Sequence, residues 1–124
     1  MSKIGLRAVR QHGLVLELVK NQTEEICLSA IKQDGYALRY VKNQTLEACL
    51  EAVKEHGRTL HCVKDQTEEI CLEAVKQESD ALQYVKNQTE EICSMAVRKN
   101  AYALQDIRDS SMKQKIAEKL GLKS

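Results

Sequence analysis

The chain of 124 residues contains no tryptophan, no phenylalanine and no proline, and its only aromatic residues are four tyrosines. It has only five glycines. A sheet-rich core usually draws on aromatic and β-branched side chains, and its turns draw on proline and glycine. These absences disfavour a β-sheet fold and predict an all-α protein.

An excess of charge of either sign is also missing, because 19 Lys and Arg stand against 18 Asp and Glu. A generally basic nucleic-acid-binding domain is therefore disfavoured. Apolar residues make up 43% and charged residues 30%, as in folded domains rather than disordered segments. No apolar run approaches the roughly 18 residues of a membrane span, and the N-terminus lacks the apolar segment of a secretory signal. We therefore expect an intracellular protein without membrane contact.

A period of 22 residues runs through the sequence. It is clearest in four cysteines and four threonines: Cys27, Cys49, Cys71, Cys93, Thr23, Thr45, Thr67 and Thr89. Counted back from the first threonine, five repeats fill residues 1–110 without insertion, at 1–22, 23–44, 45–66, 67–88 and 89–110. Residues 111–124 remain. A fixed period kept through five copies indicates a repeat array.

Each repeat predicts two short helices, as in TEEICLSAIKQDGYALRYVKNQ at 23–44. Thr23 is suited to cap the first helix, and Gly35 is placed to end it in a left-handed conformation. The run ALRYV then predicts a second helix of about two turns. Helices this short are marginal alone, so stability must come from stacking. We predict a right- or left-handed α-solenoid of five helix-turn-helix repeats.

Both ends of the array depart from the repeat. Met112, Ile116 and Leu120 recur every four residues, which predicts a C-terminal capping helix over 111–124 that ends near Gly121. In the first repeat, Leu14 and Leu18 add aliphatic surface.

Two alternatives stay open at the N-terminal end. Ile4, Leu6 and Val9 of the first helix either fold over Leu14 and Leu18 and seal them, or leave a contact site for a homo-oligomer or another partner.

The blocks YALRYVKNQT at 36–45 and TEEICLEAVKQ at 67–77 resemble the tandem repeats of the family called domain of unknown function 4116. The resemblance covers about residues 1–110 and is best in 23–97. The family occurs in giant DNA viruses of amoebae and in bacteria that live with eukaryotic hosts. The resemblance therefore implies helical repeats and a location in the host cytoplasm, or in the virion if the chain is viral. It implies no catalytic residues, because the family has no settled activity.

The 22-residue spacing of the cysteines predicts that they pack in the core rather than form disulfides or bind a metal. Equivalent residues of stacked repeats lie at least one helix-packing distance apart, about 8–10 Å, which is too far for a disulfide or a shared zinc ion. The three histidines, His12, His56 and His61, are too few to complete the ligand set of a zinc ion. No phosphate-binding loop or nucleophile motif is present. We expect no enzyme activity, no catalytic residue, no cofactor and no metal.

One basic row suggests an alternative function. It consists of Arg10, Lys32, Lys54, Lys76 and Arg98, near the ends of the first helices. Cations there stabilise helix C-termini by about 0.3–1 kcal/mol each. The same row could hold the phosphates of a nucleic acid or another polyanion.

Positions that vary between the repeats are the candidates for recognition. They cluster from the turn between the two helices onto one side of the second helix. These candidate partner-binding residues are Asp34, Tyr36, Arg39, His56, Arg58, His61, Glu78, Asp80, Gln83, Asn100, Tyr102 and Gln105. We therefore expect a scaffold for protein–protein interaction or a structural component of a larger assembly.

Overall fold

A computed structural model describes the backbone of residues 2–123 and the side chains of residues 5–123. Six α-helices alternate with five 3₁₀-helices, and this range contains no strand. The α-helices are α1 (Ser2–Gln11), α2 (Glu24–Gln33), α3 (Leu46–Glu55), α4 (Glu68–Gln77), α5 (Glu90–Lys99) and α6 (Ser110–Lys119). The 3₁₀-helices are η1 (Gly13–Leu18), η2 (Gly35–Tyr40), η3 (Gly57–Cys62), η4 (Ser79–Tyr84) and η5 (Ala101–Asp106). The all-helical prediction is confirmed. None of the helices in this range has the length and apolarity to cross a bilayer.

The helices form two parallel rows. Each α-helix packs against the next α-helix, and each 3₁₀-helix packs against the next 3₁₀-helix. The two rows face each other across one continuous core that extends from Val9 to Ala117. The predicted helical-repeat architecture is therefore confirmed. We call the second row the η row.

The second helix of each repeat is a 3₁₀-helix, a distinction that the sequence analysis did not make. Its buried residues explain the geometry. In the second repeat Gly35, Leu38 and Val41 are all buried and lie three residues apart. A helix with 3.0 residues per turn places such residues directly above one another, on the side that faces the α row.

The threonine caps are confirmed. The hydroxyl oxygen of each threonine accepts a hydrogen bond from the backbone N–H three residues later, at 3.1–3.2 Å, at the start of α2 to α5. A cap of this kind is worth about 1 kcal/mol. The caps fix where each α-helix begins, and so keep the repeats in register.

The predicted left-handed conformation of Gly35 is wrong. The α2 helix ends instead at Asp34 in an extended conformation, with φ −155° and ψ 111°, and Gly35 begins η2. A Cβ atom on Gly35 would lie 3.2 Å from Cγ2 of Thr59 and 3.3 Å from the carbonyl oxygen of Ala52. The approach is closer at the equivalent glycines, since a Cβ atom on Gly57 would lie only 2.4 Å from the carbonyl oxygen of Ala74, and one on Gly13 equally close to that of Ala30.

The C-terminal helix α6 ends as the sequence predicted. Gly121 has a φ of +71°, and the N–H of Leu122 donates to the carbonyl of Ala117 at 2.7 Å, which forms a Schellman motif. Ile116 and Ala117 are buried where α6 packs on α5 and η5.

The N-terminal end is not sealed by the described part of α1. Val9 is buried, but Leu18 is 77% exposed and Leu14 is 46% exposed. The side chain of Ile4, which the sequence analysis expected to contribute to a seal, lies outside the described residues.

Four glutamines join successive repeats. At the first junction, Nε2 of Gln22 donates to the carbonyl of Tyr40 at 2.8 Å and to that of Leu16 at 3.4 Å. Its Oε1 accepts the N–H of Lys42 at 3.0 Å. The same three bonds recur at equivalent positions for Gln44, Gln66 and Gln88. We call this set the glutamine ladder.

The cysteine thiols complete the ladder at three junctions. Sγ of Cys27 lies 3.7 Å from Oε1 of Gln22, and the same contact is 3.8 Å from Cys49 and 3.5 Å from Cys71. A thiol is a weak donor, so each of these amide oxygens accepts a second, weaker bond. The predicted burial of the cysteines is confirmed, and the ladder adds a polar reason for their position.

We predict that Gln66→Ala destabilises the array more than Gln33→Ala. Removing the Gln66 amide leaves the part-buried carbonyls of Leu60 and Tyr84, one in each of two repeats, without this partner, at a cost of about 1–3 kcal/mol for each group that stays unsatisfied. Gln33 is exposed at the end of α2 and serves as the control. Chemical denaturation followed by circular dichroism measures both variants. Equal midpoints would show that the ladder does not stabilise the junctions.

Candidate functional site

The four buried cysteines form no reactive site. All four are free thiols in the core. Burial raises the pKa of each thiol, to about 11 for Cys71 and Cys93. The thiolate is the nucleophile and the metal ligand, so these sulfurs are poorly suited to either role. Among the described residues, no group of three or more histidine, cysteine, aspartate or glutamate side chains is arranged to hold a metal ion.

Cys62 differs from the other cysteines because it lies in the η row. Its side chain is half-buried, and its Sγ is 3.6 Å from Nδ1 of His61.

We predict that iodoacetamide modifies one thiol quickly and four slowly in the native protein at pH 8. Cys62 is the accessible thiol, whereas the four core thiols are both buried and largely protonated at this pH. Intact-mass spectrometry over time counts the modified thiols. A Cys62→Ser variant should lose the fast phase. Rapid labelling of all five thiols would contradict the buried positions.

The η row brings four rings of three repeats together. The rings of Tyr36 and His56 stack with centroids 6.2 Å apart and planes 21° from parallel. Tyr36 also contacts His61 at 5.7 Å, and His61 contacts Tyr84 at 5.3 Å. We call this continuous set the tyrosine–histidine ridge. Three of its members were predicted from the sequence as partner-binding residues, and Tyr84 was not.

A charged cluster lies next to the ridge. The guanidinium of Arg58 donates through both Nε and Nη2 to the carboxylate of Asp80, with Nε to Oδ2 at 3.1 Å. The backbone N–H of Arg58 donates to Oε1 of Glu78 at 3.1 Å. The pKa of Asp106 is raised by its partial burial and by the nearby Asp80 carboxylate. The third repeat thus contributes the cation of this cluster, and the fourth repeat contributes two carboxylates.

Two of the candidate residues also have structural roles. Oδ1 of Asp34 accepts the N–H of Tyr36 at 3.0 Å, and Oδ1 of Asn100 accepts the N–H of Tyr102 at 3.0 Å. Both side chains cap the start of a 3₁₀-helix. In these two repeats the cap, rather than partner binding, therefore accounts for the residue type. Glu78 and His56 occupy the same position without such a cap.

The remaining candidates lie in three 3₁₀-helices, η2, η4 and η5. Arg39 and Gln83 are exposed in η2 and η4, and the Gln83 amide donates to the carbonyl of Asp80 at 3.0 Å. Tyr102 and Gln105 lie apart from the ridge in η5, where Tyr102 is 80% exposed. The structure therefore assembles most of the predicted surface, with its last part separate.

The basic row is placed as the sequence predicted. All five side chains are exposed, and within residues 5–123 none of them forms an ion pair. Two cations of the second basic row, which lies near the starts of the α-helices, behave differently. Nζ of Lys42 donates to the carbonyl of Lys20 at 3.3 Å, and Nη2 of Arg108 donates to that of Lys86 at 3.1 Å. These two side chains bind the backbone of the preceding repeat.

Two residues of this surface, Tyr84 and Cys62, were not among the candidates predicted from the sequence. Both occupy the position at the end of the 3₁₀-helix whose backbone carbonyl accepts a hydrogen bond from the glutamine of the preceding repeat. The alternation of tyrosine with other residues at this position was the available signal.

A family model described as Domain of unknown function (DUF4116) matches residues 67–112. The resemblance drawn from the sequence blocks is thereby confirmed for this segment. No curated protein and no solved structure matches the chain.

Proposed function

We propose that the chain is a non-enzymatic helical-repeat scaffold that binds a protein partner through the η row, or that serves through this surface as a structural component of a larger assembly. The observation that carries the proposal is the tyrosine–histidine ridge. Positions that differ from repeat to repeat contact one another there across three repeats, whereas the recurring apolar, threonine and glutamine positions are occupied with packing, capping and the ladder.

The chemistry of the ridge suits a protein partner. Tyrosine and arginine are enriched among the residues that dominate binding energy at protein interfaces. The rings already pack against each other, and Arg58 is held by Asp80. Side chains that are ordered before binding lose less conformational entropy on association. The charged groups of Arg58, Glu78 and Asp80 beside the ridge restrict which partners fit.

We predict that the double variant Tyr36→Ser/His61→Ser keeps the fold and loses the partner. Both side chains contribute to the ridge and not to the ladder, so unfolding midpoints should change little. Proteins that co-purify with the wild-type chain from its native source are identified by mass spectrometry and quantified for each variant.

The matched control is Gln33→Ser/Gln77→Ser, which changes two exposed residues at the ends of α2 and α4. A partner recovered equally with the wild type, the ridge variant and the control would not bind through the ridge.

A second candidate function is polyanion binding through the basic row. It is favoured by one observation, namely that five exposed cations recur along one edge of the α row without ion-pair partners among the described residues. The same edge also carries acidic side chains near Lys54 and Lys76, such as Glu55 and Glu78. These reduce the attraction for phosphate, and they place this candidate second.

We predict that a triple lysine-to-glutamine variant distinguishes the two functions. The changed residues are Lys32, Lys54 and Lys76, and the matched control changes Lys42, Lys64 and Lys86 of the second basic row. If the row binds nucleic acid, wild-type affinity should fall steeply with salt because phosphate contacts release counterions. The first triple variant should then lose both the affinity and its salt dependence, and the control should keep them. Fluorescence titration of labelled oligonucleotides at two salt concentrations tests this, and salt-independent binding or none would remove the polyanion function.

A further inference from the structure

The junction between the second and third repeats contains a cleft of about 390 Å³, which lies between the starts of α2 and α3. The side chains at its rim are exposed and polar, and they include Lys20, Glu24 and Lys42. Its deeper lining is largely apolar. A cleft of this size with an apolar floor and a few polar groups above it is typical of a small-molecule site.

A second cleft, at the junction between the fourth and fifth repeats, occupies the same place in the repeat pattern but is smaller, at about 230 Å³. Every residue that lines it has its equivalent, 44 positions earlier, in the lining of the larger cleft. The residue types differ at only two of these positions. Asp65 stands where the larger cleft has Asn21, and Ile92 stands where it has Ala48.

Ala48 accounts for the greater depth of the larger cleft. Alanine lacks all of the isoleucine side chain beyond Cβ, and Leu28 and Val41 are part of the lining only in the larger cleft. The third repeat is alone in this respect, because the equivalent residues of the other four repeats are Ile4, Ile26, Ile70 and Ile92. The missing side chain therefore leaves an apolar space within a repeat pattern that otherwise fills it.

The rim of the larger cleft carries an excess of one positive charge, since two lysines, Lys20 and Lys42, stand with one carboxylate, Glu24. Nζ of Lys42 donates to the carbonyl of Lys20 at 3.3 Å, which orients this ammonium group on the rim. At the smaller cleft two lysines are balanced by the carboxylates of Asp65 and Glu68. The charge of the larger cleft thus favours a ligand with one negative charge.

We propose that the cleft between α2 and α3 binds a small aliphatic monocarboxylate. The branched aliphatic end of the ligand occupies the space opened by Ala48, against Leu28 and Val41, and its carboxylate lies between the ammonium groups of Lys20 and Lys42. The cleft is separate from the tyrosine–histidine ridge of the η row and from the basic row at the ends of the α-helices, so this site does not depend on the proposed function.

The test titrates the full chain with isocaproate and follows the backbone amide resonances of residues 41–48 by NMR. We expect saturable shifts in the wild type. Ala48→Ile should weaken binding by roughly tenfold or more, because the new side chain takes the place of the aliphatic group. This variant should stay folded by circular dichroism, since isoleucine is the residue of the other repeats at this position.

Two pairs of lysine variants test the rim. Lys20→Gln/Lys42→Gln should weaken isocaproate binding by roughly fivefold, as expected for exposed ion pairs. Lys64→Gln/Lys86→Gln is the matched control, because it makes the same change at the smaller cleft, and it should leave the affinity as in the wild type. Equal losses in both pairs would overturn the assignment of the carboxylate to this rim.

Three further probes define the ligand. Acetate keeps the charge without the branched group, and isocaproamide keeps the shape without the charge, so both should bind more weakly than isocaproate. Either probe binding as tightly as isocaproate would overturn the proposal. N-acetyl-glycyl-leucine carries the same branched carboxylate at the end of a peptide. Tighter binding of this peptide supports the C-terminus of a chain as the source of the ligand, and weaker binding supports a free acid.

A final variant transfers the site to the other junction. Asp65→Asn and Ile92→Ala together give the smaller cleft the same residues as the larger one, because the deeper Leu28 and Val41 already have their equivalents in Leu72 and Val85. Added to Ala48→Ile, these changes should restore isocaproate binding and move the amide shifts to residues 85–92. No binding by the wild type, full binding by Ala48→Ile, or a folded triple variant that does not bind would each overturn the proposal.

Discussion

The structure depends on one side chain that recurs in four repeats, the glutamine at the end of each unit. Its amide binds the 3₁₀-helix of its own repeat and the end of the 3₁₀-helix in the next one. Neither helix of a repeat is long enough to be stable alone. The hydrophobic core favours stacking but does not by itself fix its register, because burial is not directional. The ladder fixes the register, because the carbonyl 18 residues later and the N–H 20 residues later must both reach the amide of the same glutamine.

The sequence predicted most of the helices because their signals are local. Thr23 and its equivalents are caps that act on the three residues after them, and the 22-residue period fixed where they recur. The ladder could not be predicted in this way. Gln44 looks like a loop residue, and its partners lie as far as 20 residues along the chain, so only the stacked structure shows what it binds. One trace was present in the sequence, because Ser110 replaces glutamine in the fifth repeat, where the helix α6 begins.

The error at Gly35 has a similar origin. A glycine after a helix commonly adopts a left-handed conformation, and the sequence alone gives no reason to expect otherwise. In the structure the constraint comes from the next repeat, whose helix end leaves little room for a side chain at Gly13 and Gly57. Gly121 follows the usual rule, and nothing lies within 4 Å of its missing Cβ. The same residue type therefore has two physical roles, and the atoms that pack against its Cα decide between them.

The ladder also explains why the side chains of the candidate site can differ from repeat to repeat. Its strongest bonds to the following repeat go to backbone groups, such as the carbonyl of Tyr84 and the N–H of Lys86. The equivalent carbonyls belong to Cys62 and Asp106 in other repeats, so an aromatic, a thiol and a carboxylate side chain are all compatible with one junction. Since the junction is held through the backbone, the side chains of the η row can change without loss of register. A surface that differs along its length can thus be built on repeats whose stacking is everywhere the same.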